Sequence, residues 1–140
     1  MASVYKAAGR RDMIETAAKS KVASYRDFRV WQKGMVLTKV IYAITRPFPA
    51  EEKFGLVSQM RRAAISIPSN IAEAQARKRT AEFVHFISNA EGSLAELDTQ
   101  LNLCADLGFC ESANAEAAFG MIGELKRMLN GLRRSLTRGS

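Results

Sequence analysis

Histidine, cysteine and proline are scarce in this chain, and each scarcity removes a class of chemistry. Of 140 residues only His85 is histidine, Cys104 and Cys110 are the two cysteines, and three are proline. Zinc sites and redox thiol pairs need converging ligands or a Cys-x-x-Cys spacing, and neither cysteine has a histidine nearby to complete one. Cys104 falls on an apolar helical position and reads as a buried structural thiol. His85 stands between aromatic residues with no carboxylate partner in its turn, so it reads as a surface or boundary residue rather than a general base. There is no phosphate-cradling glycine loop and no nucleophile–base–orienter set, and Glu96 and Asp98, two apart, do not face each other on a helix. The expectation is a protein with no enzymatic activity, no cofactor and no metal.

Long apolar runs are missing too. Nothing approaches membrane-spanning length, and the early residues, with Arg10, Arg11 and Asp12 but no apolar segment, do not read as a secretory signal. The expected location is the cytoplasm, with no membrane contact. Strand-like alternation is absent, and the aromatic residues fall mostly on core positions rather than on a base-stacking sheet. Hydrophobic content of 47% with 25% charged residues suits one soluble globular domain with a real core.

What remains is helical periodicity. From about Asp27, which can cap a helix, to Thr45, the residues Val30, Gly34, Leu37, Ile41 and Ile44 repeat in alternating steps of four and three, with Trp31, Met35, Thr38 and Tyr42 widening the buried face. Arg46-Pro47-Phe48-Pro49 ends that helix, and Glu51 and Glu52 suit the first turn of the next, whose start Gly55 blurs. A third helix opens near Ala81 behind Thr80 as N-cap, and Phe83, Ile87, Ala90, Leu94, Leu97, Leu101 and Cys104 form its seam. Gly108 is a natural left-handed terminator with Phe109 against Cys104. A fourth helix from about Ser112 or Asn114 carries Ala118, Ile122, Leu125, Leu129, Leu132 and Leu136. The fold class expected is all-α, an antiparallel up-down-up-down four-helix bundle over 25–140. Residues 1–24 form an N-terminal extension, where Met13, Ile14, Ala17 and Ala18 allow a short amphipathic helix and the composition equally allows a flexible basic arm.

The second helix is the most unusual stretch. Between Leu56 and Arg79, Met60, Ala64, Ile67, Ile71 and Ala74 keep one apolar face, and Pro68 sits inside that run. Since the apolar register continues unshifted and Ile67 is a poor cap, a kink at Pro68 is expected rather than a break. Ser58, Arg62, Ser66, Ser69, Glu73 and Arg77 make a neighbouring polar stripe, read either as a solvated face or as a place where another subunit or a phosphate backbone approaches closely. The string SQMRRAAISIPSNIAEAQARK, with YRDFRVWQKGM before it and EF and GSLAELDTQL after it, resembles the four-helix-bundle family associated with intervening sequences in bacterial 23S ribosomal-RNA genes. The resemblance covers roughly Tyr25 to Leu136. It departs at Ala74, where the family usually has glycine, and alanine favours continuing the helix. The resemblance implies the bundle and a homo-oligomer, with a ring of five subunits, more firmly than an activity.

Charge is segregated along the chain, whose net charge is +7. Met1 to Arg79 holds 16 Lys or Arg against 6 Asp or Glu, Thr80 to Leu125 holds none against 8, and Lys126 to Ser140 holds 5 against none. The third helix, with Glu82, Glu91, Glu96, Asp98 and Asp106, must therefore be compensated from other helices or another subunit. Two functions follow. In the first, Arg61, Arg62, Arg77, Lys78, Arg79, Lys126, Arg127, Arg133 and Arg134 form a positive surface that binds RNA or DNA through phosphates. In the second, acidic and basic surfaces meet between copies and the protein is an interaction scaffold with a protein partner, as in the similarly built accessory proteins of diversity-generating retroelements, which would combine reverse-transcriptase and nucleic-acid binding. The simpler readings of the same residues are dipole-compensating cations at a helix end and a solvated face.

Overall fold

The apolar seams assemble as their spacing requires. The computed structural model describes Tyr25 and residues 28–138, and the expected extension over 1–24 and the cap at Asp27 lie outside the described residues. Among the described residues there are four helices, α1 (Arg29–Thr45), α2 (Ser58–Ala76), α3 (Thr80–Leu107) and α4 (Ser112–Arg138), and no strand. α2 packs on α1 and α3, and α4 packs on α3 and α1, which closes a ring of four around one core. Contacts between α1 and α2 pair falling numbers on one helix with rising numbers on the other: Thr45 with Arg61, Thr38 with Ala64, Gly34 with Pro68. Met60 with Cys104 and Ser66 with Ser93 do the same for α2 and α3. This ordering is compatible with the up-down-up-down path.

Every seam residue named from the spacing is buried except Leu136, which is half-buried against the core. Leu37, Ile41, Met60, Ile67, Ile71, Ile87, Leu97 and Leu101 have no accessible surface, each worth about 1.5–3 kcal/mol of transfer free energy relative to an exposed side chain. The flanking residues Trp31, Met35, Thr38 and Tyr42 stay half-exposed, because among the described residues α2 alone reaches that side of α1.

α2 runs through Pro68 without interruption. The proline cannot donate to the carbonyl of Ala64, four residues back. Thr38 of α1 supplies a substitute: its Oγ1 lies 3.0 Å from Ala64 O and 2.8 Å from Gly34 O, within donating distance of both. Gly34 brings α1 up against the same place, since a Cβ there would stand 3.5 Å from the Pro68 ring and from Ile67. Ala74 is fully buried and the helix continues two residues beyond it, as the alanine in that position implies.

The joints are short. After α1, Ala50–Glu52 forms a 3-10 turn with both glutamates at its start, and Lys53–Val57 forms a wide π turn around Gly55 before α2 begins. Glu52 steadies this turn by accepting from Leu56 N. At the α2–α3 joint Arg79 is the N-cap residue and makes no side-chain cap bond, so Thr80 is the first helical residue rather than the expected cap. α3 closes at Gly108 with φ of +75°, and Phe109 N donates to Cys104 O at 2.9 Å. Phe109 also lays its ring 5.5 Å from Phe48, which ties the α3–α4 joint to the α1–α2 joint.

Candidate nucleic-acid interface

Because consecutive helices alternate in direction, the start of α1, the end of α2, the start of α3 and the end of α4 share one end of the bundle. That end receives Arg29, Arg77, Lys78, Arg79, Arg133 and Arg134 from distant parts of the sequence. The opposite end carries Glu51, Glu52, Asp106 and Glu111 on its two joints, against Arg46 and Lys53. Glu73 and Glu82 stand among the cations of the first end, and Arg61 and Arg62 lie toward the second, so the first end is the richer in cations without being free of carboxylates.

The nine cations singled out from the sequence do not form one patch. Arg61 braces α2 to α1: its Nε donates to Thr45 Oγ1 at 2.9 Å, its Nη2 donates to Tyr42 O, and its guanidinium lies over the Tyr42 ring at 4.4 Å. Arg62, one residue on, is exposed toward the opposite end. Arg77 pairs with Glu73 in the i,i+4 order the sequence anticipates and stacks 4.6 Å over Phe86 of α3, so it braces the joint. Arg133 crosses from α4 to Glu91 of α3 at 2.7 Å and donates to Asn130 Oδ1 at 2.6 Å. Lys126 lines a small cavity of about 110 Å³ together with Glu91 and Asp98. Arg133 thus compensates Glu91 of acidic α3 from another helix, while Lys126 stands near Asp98 without an ion pair among the described residues. Lys33 of α1 bonds Glu124 at 2.7 Å, and that hydrogen bond, with the charges of Lys33, Arg127 and Arg29, holds the Glu124 carboxyl below its ordinary range.

Lys78, Arg79 and Arg134 are exposed, and their side chains make no hydrogen bond or ion pair among the described residues. Their charge is available to an anion, as is that of the exposed Arg62, Lys126 and Arg127 elsewhere on the surface. The polar stripe on α2 is divided. Ser66 faces α3, 2.7 Å from Ser93 Oγ and bonded by Asn70, while Ser69 lines the groove between α2 and α1. Sequence reasoning missed Arg29, Lys39 and Arg46, and the signal for the last two was their place beside the Trp31–Tyr42 stripe.

The remaining chemistry-bearing side chains stay quiet. Cys104 is fully buried with its sulfur 3.2 Å from Met60 Sδ, and burial, with lesser help from Cys110 and Glu52, pushes its thiol up to about 12. Burial raises Cys110 as well. His85 is exposed at the edge of the Phe86 ring, as its sequence position suggests. Among the described residues no group of His, Cys, Asp or Glu is arranged to hold a metal ion, and no helix is long and apolar enough to cross a membrane.

The described residues form an all-helical bundle with exposed cations gathered at one end. The chain belongs to the 23S rRNA-intervening sequence protein family, whose sequence model matches residues 26–131. Comparison with curated proteins gives no match.

Proposed function

We propose that this protein is a non-enzymatic nucleic-acid-binding bundle that grips phosphates with the end formed by the α2–α3 joint and the last turns of α4. The observation that carries this reading is the collection of Lys78, Arg79 and Arg134 at one end, exposed and with side chains unpaired among the described residues, while their basic neighbours Arg77 and Arg133 are held by Glu73 and Glu91. Phosphate neutralisation by such cations gives affinity with little base readout. Membership of a family described by an rRNA intervening sequence favours RNA as the polymer. The working unit is a homo-oligomer, a ring of five by the family resemblance, which multiplies the basic ends. A second reading, a protein-interaction scaffold, is favoured by Phe54, 88% exposed on the acidic end's joint.

The test is a variant with Lys78→Ala, Arg79→Ala and Arg134→Ala together. All three side chains lie outside the core, so the fold persists, affinity for structured RNA drops, and the log–log salt slope flattens by about one per lost phosphate contact. Unchanged affinity and slope would remove this end from the interface.

A further inference from the structure

The outer groove between α1 and α2 has a different character from the basic end. It encloses about 620 Å³, within the roughly 300–1,000 Å³ range of ligand sites, and is lined by the rings of Tyr25, Trp31 and Tyr42. Lys39 and Arg46 line it as well, and no carboxylate does among the described residues. Its rings are held in place. Tyr25 packs edge-on to Trp31 with centroids 5.1 Å apart, and Tyr42 is covered by Arg61, which is itself tied to Thr45. Ile65, 43% exposed on the α2 wall, leaves an apolar surface uncovered beside them.

Fixed, half-exposed aromatic rings interleaved with cations match one kind of occupant. A nucleobase offers a π-face to the rings, and its phosphodiester offers negative charge to Lys39 and Arg46. A duplex hides those faces, so the complementary ligand is a strand with unpaired bases. We infer that the α1–α2 groove binds a short single-stranded stretch of nucleic acid by stacking unpaired bases on Trp31 and its neighbouring tyrosines. The inference rests on the nucleic-acid reading above and adds to it a second subsite with a different preference. The basic end takes phosphates of any strand, whereas the groove requires exposed bases.

Trp31 is the chain's one tryptophan, so the unmodified protein reports on its own groove. The experiment is a single titration read two ways: anisotropy of an end-labelled oligonucleotide for binding, and Trp31 emission, excited where tyrosine is silent, for stacking. The ligands are an oligoriboadenylate, the matching oligodeoxyadenylate, an abasic phosphodiester of equal length and an RNA duplex. The expected result is that both single strands quench Trp31 in step with the anisotropy rise, while the abasic strand and the duplex do not quench. Trp31→Leu should weaken single-strand binding roughly fivefold or more, and Lys39→Ala with Arg46→Ala should weaken it while leaving duplex binding unchanged. Anisotropy that rises with every ligand without any change at Trp31 would overturn the groove and leave the basic end standing. No anisotropy change with any ligand would overturn both. Trp31 emission that follows protein concentration and ignores oligonucleotide would also overturn the inference, because a second copy would then be covering the groove.

Discussion

Replacing Thr38 by valine should destabilise the bundle far more than a half-exposed, isosteric change ordinarily does. The reason lies across the helix pair. Pro68 leaves Ala64 O without its usual N–H donor, and the Thr38 hydroxyl stands 3.0 Å from it. Valine keeps the volume and removes the donor, so an interhelical hydrogen bond is lost and a carbonyl in the α1–α2 interface is stranded. A net bond contributes about 0.5–1.5 kcal/mol and a stranded buried acceptor costs about 1–3 kcal/mol, so with Thr38 only half-buried the expected loss is about 1–2 kcal/mol. Gly34 O, the other neighbour of this hydroxyl, lies inside the regular α1 ladder and contributes less. The assay is urea unfolding followed by helical circular dichroism, comparing midpoints at constant slope. Thr38→Ser retains the hydroxyl and should recover most of the loss. The decisive background is Pro68→Ala, which gives α2 back its own donor to Ala64 O. There the valine substitution should cost less than about 0.5 kcal/mol, a coupling of about 1 kcal/mol in the double-mutant cycle. A cost below about 0.3 kcal/mol in the natural background, or an equal cost in both, would refute the substitution of one donor for the other.

Other consequences are equally direct. Leu97→Ala removes a side chain with no exposed surface from the middle of the α3 seam and should cost about 2–5 kcal/mol in the same urea assay, whereas a cost near zero would mean the register is wrong. Thiol labelling of the native protein near pH 8 should modify Cys110 before Cys104, since Cys104 is fully buried and its thiol is pushed up to about 12; equal rates would contradict that burial. The same shift predicts alkaline sensitivity. The folded state keeps the Cys104 proton to about 12 while the unfolded chain releases it from 9.0, so its contribution to stability is present below pH 9 and is lost as pH rises toward 12. Cys104→Ala should remove that part of the slope in denaturant melts recorded across this range.

The core was legible in the sequence because period is a local property. Val30 to Ile44, Met60 to Ala74, Phe83 to Cys104 and Ala118 to Leu132 could be placed from spacing alone, and Gly108 announced its own left-handed turn. What spacing cannot carry is how far a neighbour reaches. Trp31, Met35 and Tyr42 share the period of a core stripe, yet they border a groove because, among the described residues, α2 covers only one side of them. The fate of the cations was hidden for a related reason. Arg61 and Lys78 look alike in sequence, but one is pinned over Tyr42 and the other is exposed, and that depends on residues 16 or more positions away. Pro68 illustrates both limits: the unbroken apolar register marked it as internal to the helix, while the donor that serves Ala64 sits 26 residues upstream. Thr80 missed being the cap by one residue, because Arg79 already has the extended backbone of the N-cap position.

Nucleic-acid binding through phosphates at the basic end of this bundle is the proposal on which the rest depends. The most direct measurement is binding to labelled structured RNA and duplex DNA across a salt series, with the mass of the protein in solution determined in the same buffers. Log affinity should fall steeply and linearly with log salt while the mass stays constant. No binding at low salt, or an affinity indifferent to salt, would contradict it, and would leave the segregated charges to contacts between protein surfaces.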